Sequence, residues 1–531
     1  MRKLFTLFLA LAAMTNVFAS VQIGSLYYTL NDAEETAYVD EDPASILPYK
    51  SLTSVIIPTT VTYNSKTYKV TAIGNNAFNG ATNITSLVVS DNVTIIGNAA
   101  FNGCIKLASV ILGQGIETIG TAAFTGCSKL TNVTLMCDKI VSKYYESSAA
   151  NIGTIFGEQV TDYTIGDGVK AIGNAAFSGC SNMQHITISN TVKSIGGWTF
   201  RNCWNLEKVS LPNSVTYIGI LAFSGCNKLT APIYNEYIYA FMPSAICPES
   251  VTIPEGIKTI APDAFLHCTE LQSVILPQSL QKIGSEAFLG CALTSVTLPE
   301  GLEVIEIRAF ADCSKLTNIN FPSSITIVEG DVFRDTQIST PLYNGNIYAY
   351  MPPSLLVSSV SIPEGIQEIA PTAFKKCSEL QSIEIPNSVK KIGNYAFGYS
   401  GLKHISIGKN VSSIGSGVFF GCRHLEEIYN YATTPQKIDP KVFEGDDEHP
   451  AVDKTKCKLY VPEASVEAYK AADVWKDFGD NIIGIKDPQG INTPSLQGRS
   501  GEASKFIRDG QLLIEKNGHT YDASGKEVFV P

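Results

Sequence analysis

Cysteine and histidine are the residues in this chain with the most chemistry to offer. Thirteen cysteines could form disulfides, ligate zinc or supply thiolates, and six histidines (His185, His267, His404, His424, His449 and His519) could act as bases or ligands. Their spacing speaks for none of these roles. Ten cysteines (104, 127, 180, 203, 226, 268, 291, 313, 377 and 422) each follow a phenylalanine by three residues, at one position of a repeat. Ala81, Thr336 and Ser400 fill that position elsewhere, so small size is what it requires. Stacked equivalents would hold their Cα atoms about 4.8 Å apart with parallel Cβ vectors, whereas a disulfide wants Cβ atoms near 3.8 Å. Free buried thiols acting as small hydrophobes are expected, with a bridge among the off-ladder Cys137, Cys247 and Cys457 left open. No Cys-x-x-Cys or paired Cys/His spacing occurs, so no metal and no cofactor is expected.

Nucleophilic catalysis finds equally little support. There is no Gly-x-Ser-x-Gly elbow, no Walker sequence and no His-Glu-x-x-His. His267 and Cys268 are adjacent, and neighbours in sequence seldom form a nucleophile–base pair. His185 and His404 share a repeat position just before an inward apolar residue, where the side chain faces solvent. The chain is read as not an enzyme.

The elements that position these residues are repeats. Ile96-Gly97-Asn98-Ala99-Ala100-Phe101-Asn102-Gly103-Cys104 returns as Ile119 to Cys127, Ile172 to Cys180, Ile218 to Cys226 and Ile283 to Cys291. Anchor phenylalanines stand at 78, 101, 124, 177, 200, 223, 265, 288, 310, 333, 374, 397, 419 and 443, mostly 22 to 24 residues apart. The long gap between Phe124 and Phe177 hides a degenerate unit around Phe156. Leu130-Thr131-Asn132-Val133-Thr134-Leu135 alternates like a short half-buried strand, and Pro212-Asn213-Ser214 or Pro299-Glu300-Gly301 then turns the chain. One such coil cannot bury its Ile, Phe and Leu alone, but roughly fifteen stacked coils bury them as ladders. The predicted fold is an α/β-type repeat solenoid dominated by short β-strands.

The pattern L-x-x-V-x-L-P-x-x-V-x-x-I-G-x-x-A-F-x-G-C, matched closely by Leu206 to Cys226, resembles the BspA-like leucine-rich repeat of bacterial surface proteins. The resemblance covers about Ser51 to Phe443. It implies leucine-rich-repeat coils and adhesion to host extracellular proteins or other cells. It does not itself fix function, because one fold hosts many.

Two inserts stand out from the array. Pro232-Ile233-Tyr234-Asn235-Glu236-Tyr237-Ile238-Tyr239 and Pro341-Leu342-Tyr343-Asn344-Gly345-Asn346-Ile347-Tyr348 lie 109 residues apart, and Ile-Pro-Glu-Gly-Ile follows each, at Ile253 and Ile362. Each reads as a hairpin turning at Asn235-Glu236 or Asn344-Gly345. Tyr234, Tyr237, Tyr239, Tyr343, Tyr348 and Tyr350 are the candidate binding residues, since tyrosine pairs a flat apolar face with a hydroxyl. The competing reading packs them against the solenoid.

The ends differ from the array. Arg2 and Lys3, the apolar run Leu4 to Val17 and the site Val17-Phe18-Ala19 mark residues 1–19 as a signal peptide, so the mature chain is expected to be exported. Residues 20–70 are expected to form an N-terminal cap, 71–445 the solenoid, and 446–486 a C-terminal cap with a helix over Glu463 to Phe478. Residues 487–504 read as a linker. Residues 505–531 form a small β module punctuated by Asp509-Gly510, Asn517-Gly518 and Ser524-Gly525, and resemble the C-terminal sorting tails of type IX secreted proteins.

Composition bounds the partners. Lys+Arg 39 against Asp+Glu 50 gives a net charge of −11, which argues against nucleic acid and anionic lipid. No stretch reaches transmembrane length. Outward strand positions vary between coils (Thr131, Asn132 and Thr134 against Gln184, His185 and Thr187), which suits a broad recognition face. The expected function is an exported cell-surface binding protein whose partner is an extracellular protein. A second reading is an envelope scaffold that binds a cell-surface glycan through the aromatic inserts.

Overall fold

Each repeat closes one turn of a β-solenoid in the computed structural model of the chain, which describes residues 20–41, 49, 51–146, 150–486, 504–508, 511–516, 519–522 and 526–528. The expected signal peptide, 1–19, and residues 487–503 of the expected linker lie outside the described residues. The chain divides into two compact units, Met1–Ile246 and Cys247–Pro531. They hold about 18 turns of about 23 residues, mostly short strands with little helix. That exceeds the fifteen or so turns counted from phenylalanines, because some turns close on another aromatic.

The first unit opens with an antiparallel sheet of β1 (Val21–Ile23), β2 (Leu26–Asn31) and β3 (Thr36–Asp40). β4 (Ser54–Ile57) and β5 (Lys66–Ile73) follow, and β3 pairs with β5 along the edge that an open solenoid end would expose. From β4 onward the longer strand of each coil stacks in register. β6 (Ser86–Val89), β7 (Ser109–Leu112), β8 (Asn132–Leu135), β9 (Asp162–Ile165), β10 (His185–Ile188) and β11 (Lys208–Val209) complete a seven-stranded parallel sheet. Val55, Leu87, Val110, Val133, Tyr163, Ile186 and Val209 form its buried inward column. A second ladder of two-residue strands, such as Ile95–Ile96 and Thr118–Ile119, ends on the isoleucine five before each phenylalanine.

Two left-handed residues per coil turn the chain around that phenylalanine. The residue two before it has positive φ (Asn76 56°, Ala99 51°, Leu221 51°), and so does the residue two after it (Gly80 75°, Gly103 71°, Lys376 63°). This conformation explains the glycine of the repeat. The kinks aim the main chain at the next coil, so Phe78 N–H donates to Ala100 O at 2.7 Å and Phe101 N–H to Ala123 O at 2.8 Å. The rings stack as a column, with Phe78 and Phe101 centroids 5.0 Å apart and 5° from parallel. Phe156, carried by α2 (Ile152–Phe156) after α1 (Asp138–Val141), continues the column 4.9 Å from Phe124.

All thirteen cysteines are free and buried. Ladder thiols do more than fill space. Cys104 Sγ donates to Phe78 O at 3.2 Å, Cys127 to Phe101 O at 3.2 Å and Cys291 to Phe265 O at 3.1 Å. Of the three off-ladder cysteines none is bridged; Cys247 instead hydrogen-bonds the ladder thiol of Cys268.

The first unit ends in a hairpin of β12 (Ile233–Tyr234) and β13 (Ile238–Phe241). In the second unit β14 (Ser250–Thr252) pairs with β15 (Ser273–Ile275), and the second hairpin joins β16 (Leu342–Tyr343) to β17 (Ile347–Tyr350). A parallel run then follows through β18 (Ser359–Ser361), β19 (Ser382–Ile385), β20 (His404–Ile407), β21 (Glu427–Asn430), β22 (Lys458–Pro462) and β23 (Ile482–Ile485). The closing segment is not the single helix expected over Glu463 to Phe478. α3 is confined to Val466–Ala471, and Val474, at φ 69°, breaks it from the 3-10 stretch Trp475–Asn481. The break lets Trp475 meet Phe443 edge-on at 5.7 Å while its Nε1–H donates to Gln436 O at 2.8 Å. Tyr469 and Trp475 are buried there, Val466 is half-buried and Lys470 is exposed.

The C-terminal residues form three antiparallel strands, β24 (Ser504–Arg508), β25 (Gln511–Lys516) and β26 (His519–Asp522). They do not stand apart from the solenoid: β24 pairs in parallel with β18.

Candidate functional site

One asparagine locks each insert hairpin. Asn235 Oδ1 accepts the N–H groups of Tyr237 and Ile238 at 2.8 and 2.9 Å, and its Nδ2 donates to Pro212 O and Val215 O, both at 2.8 Å. Asn344 repeats this, accepting from Asn346 and Ile347 at 2.8 and 2.9 Å and donating to Pro322 O and Ile325 O at 3.0 and 2.8 Å. Turn and underlying coil are thereby tied together by a side chain able to bond on both ends.

These hairpins divide the six tyrosines. Tyr234 and Tyr237 are 46% and 41% exposed, whereas Tyr239 and Tyr348 are only 2% and 0% exposed. Tyr343 and Tyr350 are half-buried. Tyr348 stacks on Phe374 at 4.8 Å and Tyr350 lies 5.6 Å from Phe333, so this insert continues the aromatic column in place of an anchor phenylalanine. Phe241 does the same beside Phe223 at 5.9 Å. Burial raises the hydroxyl pKa of Tyr348 far above its ordinary value and that of Tyr350 to about 12. The packing role therefore holds for Tyr239 and Tyr348. Tyr234 and Tyr237 are the exposed tyrosines of the first insert.

The longer-strand sheet supplies a second surface. Its outward column in the first unit runs Ser54, Ser86, Ser109, Asn132, Asp162, His185, Lys208 in consecutive register. Polarity and charge change along it while the adjacent inward column stays apolar. His185 Nδ1 lies 2.9 Å from Asp162 Oδ1 on this face, so the solvent-facing position expected for His185 is observed. Trp204 and Tyr217, 54% and 57% exposed, are aromatics that the sequence reading passed over. Their signal was position: Trp204 stands where Ser128, Ser181 and Asn227 occupy the same turn in other coils.

The second unit gathers a denser cluster. Outward residues of β20 to β22 place Tyr429 and Tyr460 4.5 Å apart and 12° from parallel. Glu427 sits under both, accepting from Tyr429 Oη at 3.3 Å and Tyr460 Oη at 3.4 Å, with His404 Nδ1 3.2 Å away. Burial, and then the Glu427 carboxylate, raise both hydroxyl pKa values. A cavity of about 560 Å³ lies elsewhere in this unit, lined by Phe321, Leu342, Tyr343 and Leu355 with Ile507 and Leu512 of the C-terminal strands. Among the described residues no group of three His, Cys, Asp or Glu is placed to hold a metal ion. No described helix is long and apolar enough to cross a membrane.

The repeat, with its phenylalanine column and paired strand ladders, is matched by the family described as BspA type Leucine rich repeat region (6 copies), over residues 45–156, 156–246, 234–350 and 346–448. The chain belongs to the BspA-type leucine-rich-repeat family. Similar solved structures include a leucine rich cell surface protein from Faecalibacterium prausnitzii A2-165, 24% identical, covering 76% of this chain and 96% of that one with a TM-score of 0.31. A leucine-rich repeat protein from Bacteroides ovatus ATCC 8483 is 22% identical over 77% of this chain and 94% of its own, with a TM-score of 0.30. The pneumococcal vaccine antigen PcpA is 19% identical over 88% and 98%, with a TM-score of 0.30. The search of curated proteins finds no match. A BspA-type solenoid is typically non-enzymatic.

Proposed function

We propose that this BspA-type protein is exported and acts at the bacterial cell surface by binding extracellular proteins of a host or of other cells. Membership of the family points to a cell-surface protein-interaction role. The observation that carries the reading is the outward column Ser54 to Lys208, which varies in polarity and charge over a constant apolar column. Recognition by such a face is reversible and spread over several coils. The type IX-like tail, residues 505–531, is the proposed surface address.

A panel of immobilised extracellular-matrix proteins tests the adhesive reading, with the variant Asp162→Lys/Lys208→Glu as comparison. Binding to one or more of them, weakened severalfold by the charge exchange, supports it; binding that ignores the exchange sinks this face as the contact. A second reading rests on Tyr234 and Tyr237, whose exposed rings suit the apolar faces of sugars. Selective binding on a glycan array, lost in Tyr234→Ser/Tyr237→Ser, would favour glycan capture over protein adhesion.

A further inference from the structure

The longer-strand sheet of the second unit breaks at the second insert. The strand Asn318–Ile319, before the insert, pairs with Ser295–Val296 in a two-stranded sheet, and β18, after it, belongs to the next sheet. The rung beside β18 is filled from the end of the chain, within the same unit. β24 lies there in parallel, as a coil strand would, with Ser359 opposite Phe506 and Val360 opposite Ile507. Ser358 donates its N–H at 2.8 Å and its hydroxyl at 3.1 Å to Lys505 O. Ile507 is buried, and with Leu512 it lines one cavity together with Ile319 and Phe321 of the preceding coil. Arg508 comes next in this register, beside Ser361, and its charge acts on Glu384 one strand further in.

This rung is tied less firmly than its neighbours. Two residues of β24 stand in register with β18, against four between β19 and β20. The chain reaches β24 from β23, at the far end of the same sheet. Six strand spacings of about 4.8 Å put the two about 29 Å apart. Nineteen residue steps join Ile485 to Ser504 (504 − 485 = 19), and fully extended they reach about 65 Å. The tail can therefore leave β18 without moving the array, and it returns at a local concentration on the order of millimolar.

We propose that the C-terminal strands are a releasable clasp, and that β24, while docked on β18, is withheld from a receptor that takes it as an extended strand. Such a receptor adds β24 to its own sheet edge and needs the main-chain groups that β18 already holds, so the two states exclude each other. Its edge takes Ile507 inward and offers carboxylates to Lys505 and Arg508, whose side chains are exposed. What the clasp withholds rests on the proposed reading of residues 505–531 as a surface address; the clasp itself does not.

Hydrogen exchange on the full-length chain reads the clasp. The 505–508 amides should be protected relative to an isolated peptide of residues 504–531, yet exchange at least tenfold faster than the 404–407 amides of β20, because the tail opens locally. Ile507→Asp puts a charge at the buried anchor without altering the array. It should speed exchange at both 505–508 and 358–361 and leave 404–407 unchanged. On the opposite strand, Ile362 N–H donates to Glu384 O at 3.2 Å, so by strand alternation the Ser361 N–H points to β24. Ser361→Pro removes that donor, keeps the β19 pairing and should free the tail in the same way. In producing cells the Ser361→Pro chain, whose tail sequence is intact, should reach the surface at least twofold faster than the unaltered chain. Exchange at 505–508 as fast as in the isolated peptide, or as slow as in β20, overturns the releasable clasp. Equal surface arrival despite a freed tail overturns the masking. A reporter carrying residues 486–531 that stays in the periplasm would instead fail the address, and the exchange rates would still decide the clasp.

Discussion

Asn344 Nδ2 donates to the carbonyl of Ile325 at 2.8 Å, fixing the second insert to the coil beneath it. The same side chain makes three further bonds, to Pro322, Asn346 and Ile347. Asn344→Ala leaves two donors and two acceptors without it. At roughly 0.5–1.5 kcal/mol net per bond, about 2–6 kcal/mol of stability should be lost, read as a lower urea midpoint. Tyr237→Ser, on the exposed side of the equivalent hairpin, should leave the midpoint unchanged.

Thiol protonation couples the fold to alkaline pH. Burial pushes Cys104, Cys127, Cys137 and Cys313 up to about 12 from an ordinary value near 9. Between pH 9 and 12 the unfolded chain has released protons that the folded chain retains, so the unfolded state binds fewer and stability falls as pH rises. The melting temperature should hold up to about pH 9 and decline towards pH 12. Cys104→Ala/Cys127→Ala should make that decline shallower. A thiol reagent at pH 8 should find almost nothing in the native chain and thirteen thiols after denaturation; two or fewer would contradict the free-thiol ladder.

Left-handed positions give opposite predictions for two substitutions. Lys376 occupies at φ 63° the place that glycine holds at 103 with φ 71°. Lys376→Gly should stabilise by about 1 kcal/mol, and Gly103→Ala should destabilise by a similar amount. A Cβ at Gly103 meets nothing nearer than 3.8 Å, so the backbone conformation rather than crowding sets that cost. Equal midpoints in chemical denaturation would rule out the conformational account.

Export and surface display are open to a direct check. Fusing residues 486–531 to a periplasmic reporter should carry it to the outside, where protease added to intact cells removes it. Retention in the periplasm would count against residues 505–531 as an address.

The parts of this molecule that repeat were legible in its sequence. Phe78, Ile73 and Cys104 announce one inward site each by recurring, and even Phe156 could be placed from the length of its gap. Legibility fails where periodicity stops. β13 is buried at Ile238, Tyr239 and Ala240 alike, so the strand alternation that would assign Tyr239 a face is absent. Tyr348 looked like a contact residue because nothing in its local sequence says that it substitutes for a phenylalanine. The Tyr429–Tyr460 stack joins residues 31 apart rather than one repeat apart, since the closing segment is longer than a coil (460 − 429 = 31). The C-terminal strands were readable as strands, but their seat on β18 depends on an edge that only the folded insert creates.

The thiol-to-carbonyl contacts have one more consequence. A fold whose thirteen cysteines are all unbridged draws nothing from S–S cross-links. Its assembly needs no oxidant, and a reducing or oxygen-free habitat takes nothing away from it. Such a chain can be released fully reduced into surroundings where disulfide-stapled proteins would come apart.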